Sequence, residues 1–192
     1  MRKADAATSF SPTMFSHLLA AVQPQLYAFV RGMIGDREQT RDIVQDVFYD
    51  AWRAAQSGKP PFDAAYDEQG IRRWLFHAAY CDAASALHRR SLIQWESLNE
   101  PDFTQREHLP VVRSFEDEVA ERQVMRAALA RLTPEESACL LLNVIQGFTA
   151  AEIAQIVGIS LDACKKRLSR ARQHLRAAYD AQHTEGFQEF PS

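Results

Sequence analysis

The residues best equipped for chemistry sit close together near one end of the sequence. The stretch CKKRLSRARQHLR, Cys164 to Arg176, holds six basic residues in thirteen positions and no acid. Side chains of this kind neutralise phosphates, and arginine can also pair bidentately with guanine. A second polar set, Asp42, Gln45, Asp46 and Asp50, is interleaved with Ile43, Val47, Phe48 and Trp52. At helical spacing the acids lie opposite or beside that apolar stripe, and spacing alone makes them a solvated acidic face. Phe48 and Trp52 read as core. A third set, His77, Cys81 and His88, falls within about 40° on a helical wheel. His and Cys at i, i+4 can share a metal, but no fourth ligand is evident and none is expected to bind. The sequence has no nucleophile–base pair, no phosphate-cradling glycine loop and no HExxH motif, so neither catalysis nor a cofactor is expected.

The 192 residues carry 22 Lys+Arg against 25 Asp+Glu, a formal net charge of −3. That total hides a strong division. Ser91 to Glu121 contains two basic and eight acidic residues, whereas Leu161 to Arg176 contains six basic residues and only Asp162 against them. A near-neutral total therefore does not exclude a nucleic-acid partner; the distribution is the relevant test. No apolar run approaches the ~18 residues of a membrane span. The opening MRKADAATSF has no apolar core of a secretory signal. Three cysteines, odd in number and without a CxxC pair, suggest free thiols in a reduced, cytoplasmic setting.

The elements that must position these groups are helices. Glycine is scarce at 7 residues, and strand-like alternation is absent. Phe15, Leu18, Leu19 and Val22 mark a first helix, which Pro24 should interrupt. Leu26 to Ile34 forms a second, stopped at Gly35. A third runs from about Asp36 to Ala55 and a fourth from about Glu68 to Leu92. Ser91 to Arg113 loses periodicity and reads as an extended acidic linker. Helices resume from Phe115 to about Leu132, then from Thr133 as N-cap with Pro134 in the first turn and Gly147 as the stop. Thr149 and Glu152 form a capping box, and Ser160 caps the last helix. The expected architecture is all-α: two small helical domains, 1–92 and 115–181, a linker at 93–114 and a tail at 182–192.

Between Thr149 and Tyr179, two helices are joined by the tripeptide GIS. Ala154 is small enough for a close crossing, Gly158 can supply a left-handed turn, and Ile159 plugs the angle. Cys164, Leu168, Ala171 and Leu175 lie within roughly 60° of one another on the wheel. This is a helix-turn-helix pattern, whose second helix ordinarily enters the DNA major groove. Lys166, Ser169, Arg170 and Gln173 point away from the apolar face.

AEIAQIVGISLDACKKRLSRARQHLR resembles the promoter-reading domain of bacterial RNA polymerase sigma factors of the extracytoplasmic-function (ECF) group. LYAFVRGMIGDREQTRDIVQDVFYDAWRA resembles that group's N-terminal domain, and RRWLFHAAYCDAASALHRR occupies the place of its last helix. The resemblance implies a sigma factor that binds core RNA polymerase and directs promoter-specific initiation. It implies that Asp42, Gln45 and Asp46 grip the clamp helices of the largest subunit, with the β flap as a further contact. It places Ser160, Lys165, Lys166, Arg167, Ser169, Arg170 and Arg172 at the −35 element, Arg167 and Arg172 as phosphate or packing residues. It places Arg72, Arg73, Trp74, His77, Tyr80, Arg89 and Arg90 at the −10 element, and it implies an anti-sigma partner. His77 and Tyr80 stand where the family usually has Arg, Cys81 where it has Asn and Ser85 where it has Asp, which lowers the positive charge available for single-strand capture. The alternative from the residues is a helix-turn-helix regulator that does not act as a sigma factor; the segment DIVQDVFYDAW separates the two.

Overall fold

The computed structural model describes residues 12–58, 62, 67–97, 128–129 and 131–185. Among the described residues six helices have both ends in view: α1 (Pro12–Ile34), α2 (Arg37–Gln56), α3 (Glu68–Ser97), α4 (Pro134–Val144), α5 (Ala150–Val157) and α6 (Leu161–Glu185). No strand occurs among the described residues. The first three helices pack on one another, as do the last three.

Pro24 does not divide the first helix; α1 runs through it. Proline removes one intrahelical donor and crowds the preceding turn. The apolar residues on its two sides nevertheless belong to one stripe, with Phe15, Leu18, Val22, Leu26, Phe29 and Val30 all buried. A shared seat in the core keeps the two halves in one continuous helix. Gly35, at φ 76, then ends the helix, and Asp36 caps α2 by accepting the Gln39 N–H at 2.7 Å. The fourth expected helix also runs longer, to Ser97 instead of Leu92. No proline or glycine stands between Leu92 and Ser97 to stop it. Residues 93–97 are therefore helical instead of extended, and the rest of the expected acidic linker lies outside the described residues. So does most of the expected helix from Phe115, although Ala128 is buried.

Both capping boxes of the C-terminal half are present. Thr133 and Glu136 exchange hydrogen bonds at the start of α4, as do Thr149 and Glu152 at the start of α5. Gly158 ends α5 at φ 73 and ψ 37, in the left-handed region. A Cβ there would meet no neighbouring atom, so the penalty for any other residue is conformational. Gly158→Ala is expected to cost about 1–2 kcal/mol, read as a lower Tm. An unchanged Tm would show that the turn does not depend on this conformation.

The two helical groups are not separate beads. One contiguous buried cluster runs from Phe15, Phe29 and Phe76 through Leu141 and Phe148 to Ile153 and Leu168. α1 packs on α4, and α3 packs on α5. A smaller cluster of Leu132, Leu140 and Ala171 closes the far side of the C-terminal helices.

Candidate nucleic-acid and polymerase interfaces

The helix-turn-helix is built by α5, Gly158 and α6. Ile153, Ala154, Ile156 and Val157 bury one face of α5, and Cys164 and Leu168 of α6 join the same buried cluster, whereas Ala171 and Leu175, expected on that seat, pack with Leu132 and Leu140 in the smaller one. The Ile159 N–H donates to the Ala154 carbonyl at 2.9 Å, closing the turn. Ser160 caps α6, its hydroxyl accepting the Ala163 N–H at 3.2 Å. With the apolar side fixed, Lys165, Lys166, Ser169 and Arg170 are exposed together on the outer face. Two arginines of the expected set turn back to the protein. Arg172 donates to Asn143 Oδ1 at 2.7 Å, and Asn143 donates to the Phe148 carbonyl at 2.9 Å. Arg167 is half-buried, close enough to Tyr80 and Cys139 to act on their ionisation. The Cys139 thiol is pushed up to about 12, by burial first and then by Cys164. A thiol held neutral in this way is a packing group.

On α2, Ile43, Val44, Val47 and Ala51 face the core. Asp42, Gln45 and Asp46 are exposed on the other side. Phe48 packs against the core, but Trp52 does not belong to it: Trp52 is 41% exposed and tilts over Phe15 with ring centroids 5.6 Å apart. The stripe's last turn reaches the rim of the bundle, where there is too little of the partner helix to cover an indole. Tyr49, 60% exposed, adds a second surface aromatic that the stripe gave no reason to single out. The acids also reach across to α3. Asp82 is raised above the ordinary carboxylate value, by burial first and then by the charges of Asp50 and Asp46.

The helix expected to meet the −10 element, α3, faces the C-terminal helices. The Arg72 guanidinium donates to the Gln146 carbonyl at 2.8 Å and to Gln25 Oε1 at 3.1 Å, and lies 4.3 Å from the centroid of the Phe148 ring. Burial lowers its pKa and Glu152 opposes that. Arg73 pairs with Asp67 at 3.4 Å and stands 3.9 Å from Glu152. His77 Nδ1 is 2.6 Å from the Ile156 carbonyl, while Cys81 Sγ is 3.7 Å from the other ring nitrogen. Among the described residues no group of three or more His, Cys, Asp or Glu is arranged to hold a metal. Trp74 packs edge-on to Phe62 at 5.2 Å, Tyr80 is half-buried, and Arg89 and Arg90 are exposed. Gln25, Gln146 and Phe148 carry much of this contact. Sequence reasoning did not find them; Gln146, a buried glutamine just before a glycine, offers no periodic signal.

Among the described residues the chain is helical, with an exposed basic helix-turn-helix joined to a helical unit bearing an acidic face. Residues 18–79 match the family described as Sigma-70 region 2, and residues 122–175 match Sigma-70, region 4. The chain belongs to the sigma-70 family, in its ECF group. It is 26% identical over 161 residues to the ECF RNA polymerase sigma factor SigE of Mycolicibacterium smegmatis, covering 83% of this chain and 59% of SigE. It is 27% identical over 173 residues to SigG of Mycobacterium tuberculosis, covering 79% of this chain and 45% of SigG. The chain thus spans about half the length of these curated relatives. The fold is shared with the sigma factor RpoE from Bartonella quintana, solved in complex with the anti-sigma factor NepR. That likeness has a TM-score of 0.64 at 23% identity and covers 86% of this chain and 96% of RpoE. CnrH, solved in complex with the cytosolic domain of CnrY, matches with a TM-score of 0.62 at 24% identity, covering 91% and 93%. No described helix is long and apolar enough to cross a membrane.

Proposed function

We propose that the chain is a promoter-specificity subunit, which binds core RNA polymerase and directs initiation at its own set of promoters. The observation that carries this reading is the pairing of two exposed polar faces in one chain. Asp42, Gln45 and Asp46 on α2 stand free for the clamp helices of the largest subunit, and Lys165, Lys166, Ser169 and Arg170 on α6 stand free for the −35 major groove. A regulator that only binds DNA has no use for the first. Residues 1–92 serve the polymerase and the −10 element, 115–181 the −35 element and the β flap. Arg72, Arg73, Trp74, His77, Tyr80, Arg89 and Arg90 would meet −10 DNA. The chain acts in the cytoplasm and performs no catalysis of its own, since nucleotide addition belongs to the polymerase. RpoE was solved in complex with the anti-sigma factor NepR, which supports an anti-sigma partner here.

Run-off transcription with core polymerase and genomic promoter fragments tests the reading, which fails if the chain neither joins core enzyme nor directs a start site. Arg170→Ala is expected to reduce promoter use by about 1–3 kcal/mol if Arg170 reads a base edge, measured on matched templates. An equal loss on every −35 sequence would instead mark Arg170 as a phosphate contact.

A further inference from the structure

The basic residues of α6 are not all held alike. Arg172 donates a guanidinium N–H to Asn143 Oδ1 at 2.7 Å. Asn143 stands in the last turn of α4, half-buried, and donates in turn to the Phe148 carbonyl at 2.9 Å. Phe148 is fixed itself: it is buried, and its N–H donates to the Leu142 carbonyl at 3.0 Å. It directly precedes Thr149, the N-cap of α5. One amide side chain therefore ties the end of α4, the entry to α5 and the middle of α6.

The chemistry of that hold decides what Arg172 can still do. Arg73 and Arg176 are paired with carboxylates, Asp67 and Asp180, which oppose the charge they hold. Asn143 is neutral. It fixes the guanidinium and leaves the positive charge in place. Arg172 is also exposed, and a guanidinium carries several further N–H donors for a second partner. Its place on the helix says what that partner is. On the wheel Arg172 lies about 120° from Lys166, at the border between the outer face and the buried side, and Lys165 and Arg176 fall within about 40° of it. An outer face aimed at base edges puts this border against the groove wall, which is sugar and phosphate.

We propose that Asn143 is a positioning residue for DNA, which presents the Arg172 guanidinium, ordered and still charged, to a backbone phosphate at the edge of the −35 groove. This rests on the reading of α6 as the DNA-binding helix. Ordering a long side chain is part of the cost of association, and here the ordering is already complete in the free chain. A phosphate contact fixes register without reading sequence, so Asn143 adds affinity on every −35 sequence and selects none.

The test compares wild type, Asn143→Ala, Arg172→Ala and the double variant. Each full chain is titrated by fluorescence anisotropy onto a random-sequence 20-base-pair duplex over a range of salt concentrations. Arg172→Ala should weaken binding and make the slope of log K against log salt shallower by about 0.9, the loss of one phosphate contact. Asn143→Ala should bind about two- to tenfold more weakly with the wild-type slope kept, because the freed arginine still reaches the phosphate but must be ordered first. In the Arg172→Ala background the Asn143 effect should vanish. Thermal denaturation follows the fold: the cost of losing the hydrogen bond to the Phe148 carbonyl appears in Tm with or without Arg172, whereas the effect on DNA needs Arg172. If Asn143→Ala loses helical circular dichroism, Arg172→Lys carries the comparison. Lysine keeps the charge and the slope but lacks the planar fork that Asn143 holds, and should also bind about two- to tenfold more weakly. An unchanged slope in Arg172→Ala overturns the phosphate contact. Full affinity in Asn143→Ala, or in Arg172→Lys where that stands in for it, overturns the positioning, as does an Asn143→Ala loss that persists undiminished without Arg172. A wild-type chain that binds no duplex sinks the reading of α6 and this proposal with it. A wild-type chain that binds duplex but fails in run-off transcription would sink the sigma reading alone and leave this contact standing.

Discussion

Phe76→Ala is expected to destabilise the chain by about 3–5 kcal/mol, the largest loss from any single substitution considered. Phe76 is fully buried. Its ring meets Phe29 edge-on at 5.5 Å on one side and Phe148 at 5.2 Å on the other, so one side chain joins the aromatic cores of both helical groups. Truncation removes the transfer energy of the ring and leaves a cavity that α1 and α3 cannot close without moving apart. It also removes the edge-to-face contacts, each worth about 0.5–1.5 kcal/mol beyond burial. Urea denaturation followed by circular dichroism measures the loss. Beyond a lower midpoint, the transition should broaden or split, since the link that makes the two groups unfold together is gone. Phe76→Leu, which keeps most of the volume, should cost far less. A single sharp transition with a nearly unchanged midpoint for the alanine variant would mean that the joined core contributes little to stability.

Asp46→Arg is expected to have the largest functional effect. Asp46 is exposed on α2, where substitutions ordinarily change stability by no more than about 0.5 kcal/mol. Within the chain the change relieves strain, because Asp46 is one of the two charges that raise Asp82. Replacing it by a cation should let Asp82 ionise more readily. Any loss of polymerase binding is therefore a property of the interface and not of the fold. Setting like charges against each other at a docking surface costs several kcal/mol, so affinity for core enzyme should fall on the order of 100-fold or more. Fluorescence anisotropy with core polymerase, alongside thermal denaturation, reads both quantities. Asp42→Arg should act in the same direction. Full affinity in both variants at unchanged Tm would remove the clamp interface from α2.

The helix-turn-helix was the most legible part of the chain because its signals are local. Thr149 with Glu152, the left-handed Gly158 and the buried Cys164 and Leu168 each act within a few residues and took their expected roles, whereas Ala171 and Leu175, at the same spacing, pack toward Leu132 and Leu140 instead. The acidic face of α2 was legible for the same reason. Pro24 misled because a local penalty was weighed without the tertiary seat that spans it, and Trp52 misled because periodicity gives direction but not how far a neighbour extends. The docking of α3 on the C-terminal helices left no periodic trace at all. Arg72 and Gln146 are 74 residues apart, and nothing in the spacing of either announces the other. In hindsight one signal was present. His77 and Tyr80, the positions that depart from the family's usual arginines, lie on the face of α3 turned toward Ile156 and Arg167.

That long separation also matters while the chain is being made. The partners of Arg72 and Phe76 are absent until Gln146 and Phe148 have been synthesised, and the 74 intervening residues take roughly 4–15 s at about 5–20 residues per second. Throughout that interval the growing chain presents an uncovered aromatic edge beside an arginine, on helices otherwise ready to fold. The nascent chain is most open to capture or aggregation until the segment beyond α4 that carries Gln146 and Phe148 has emerged.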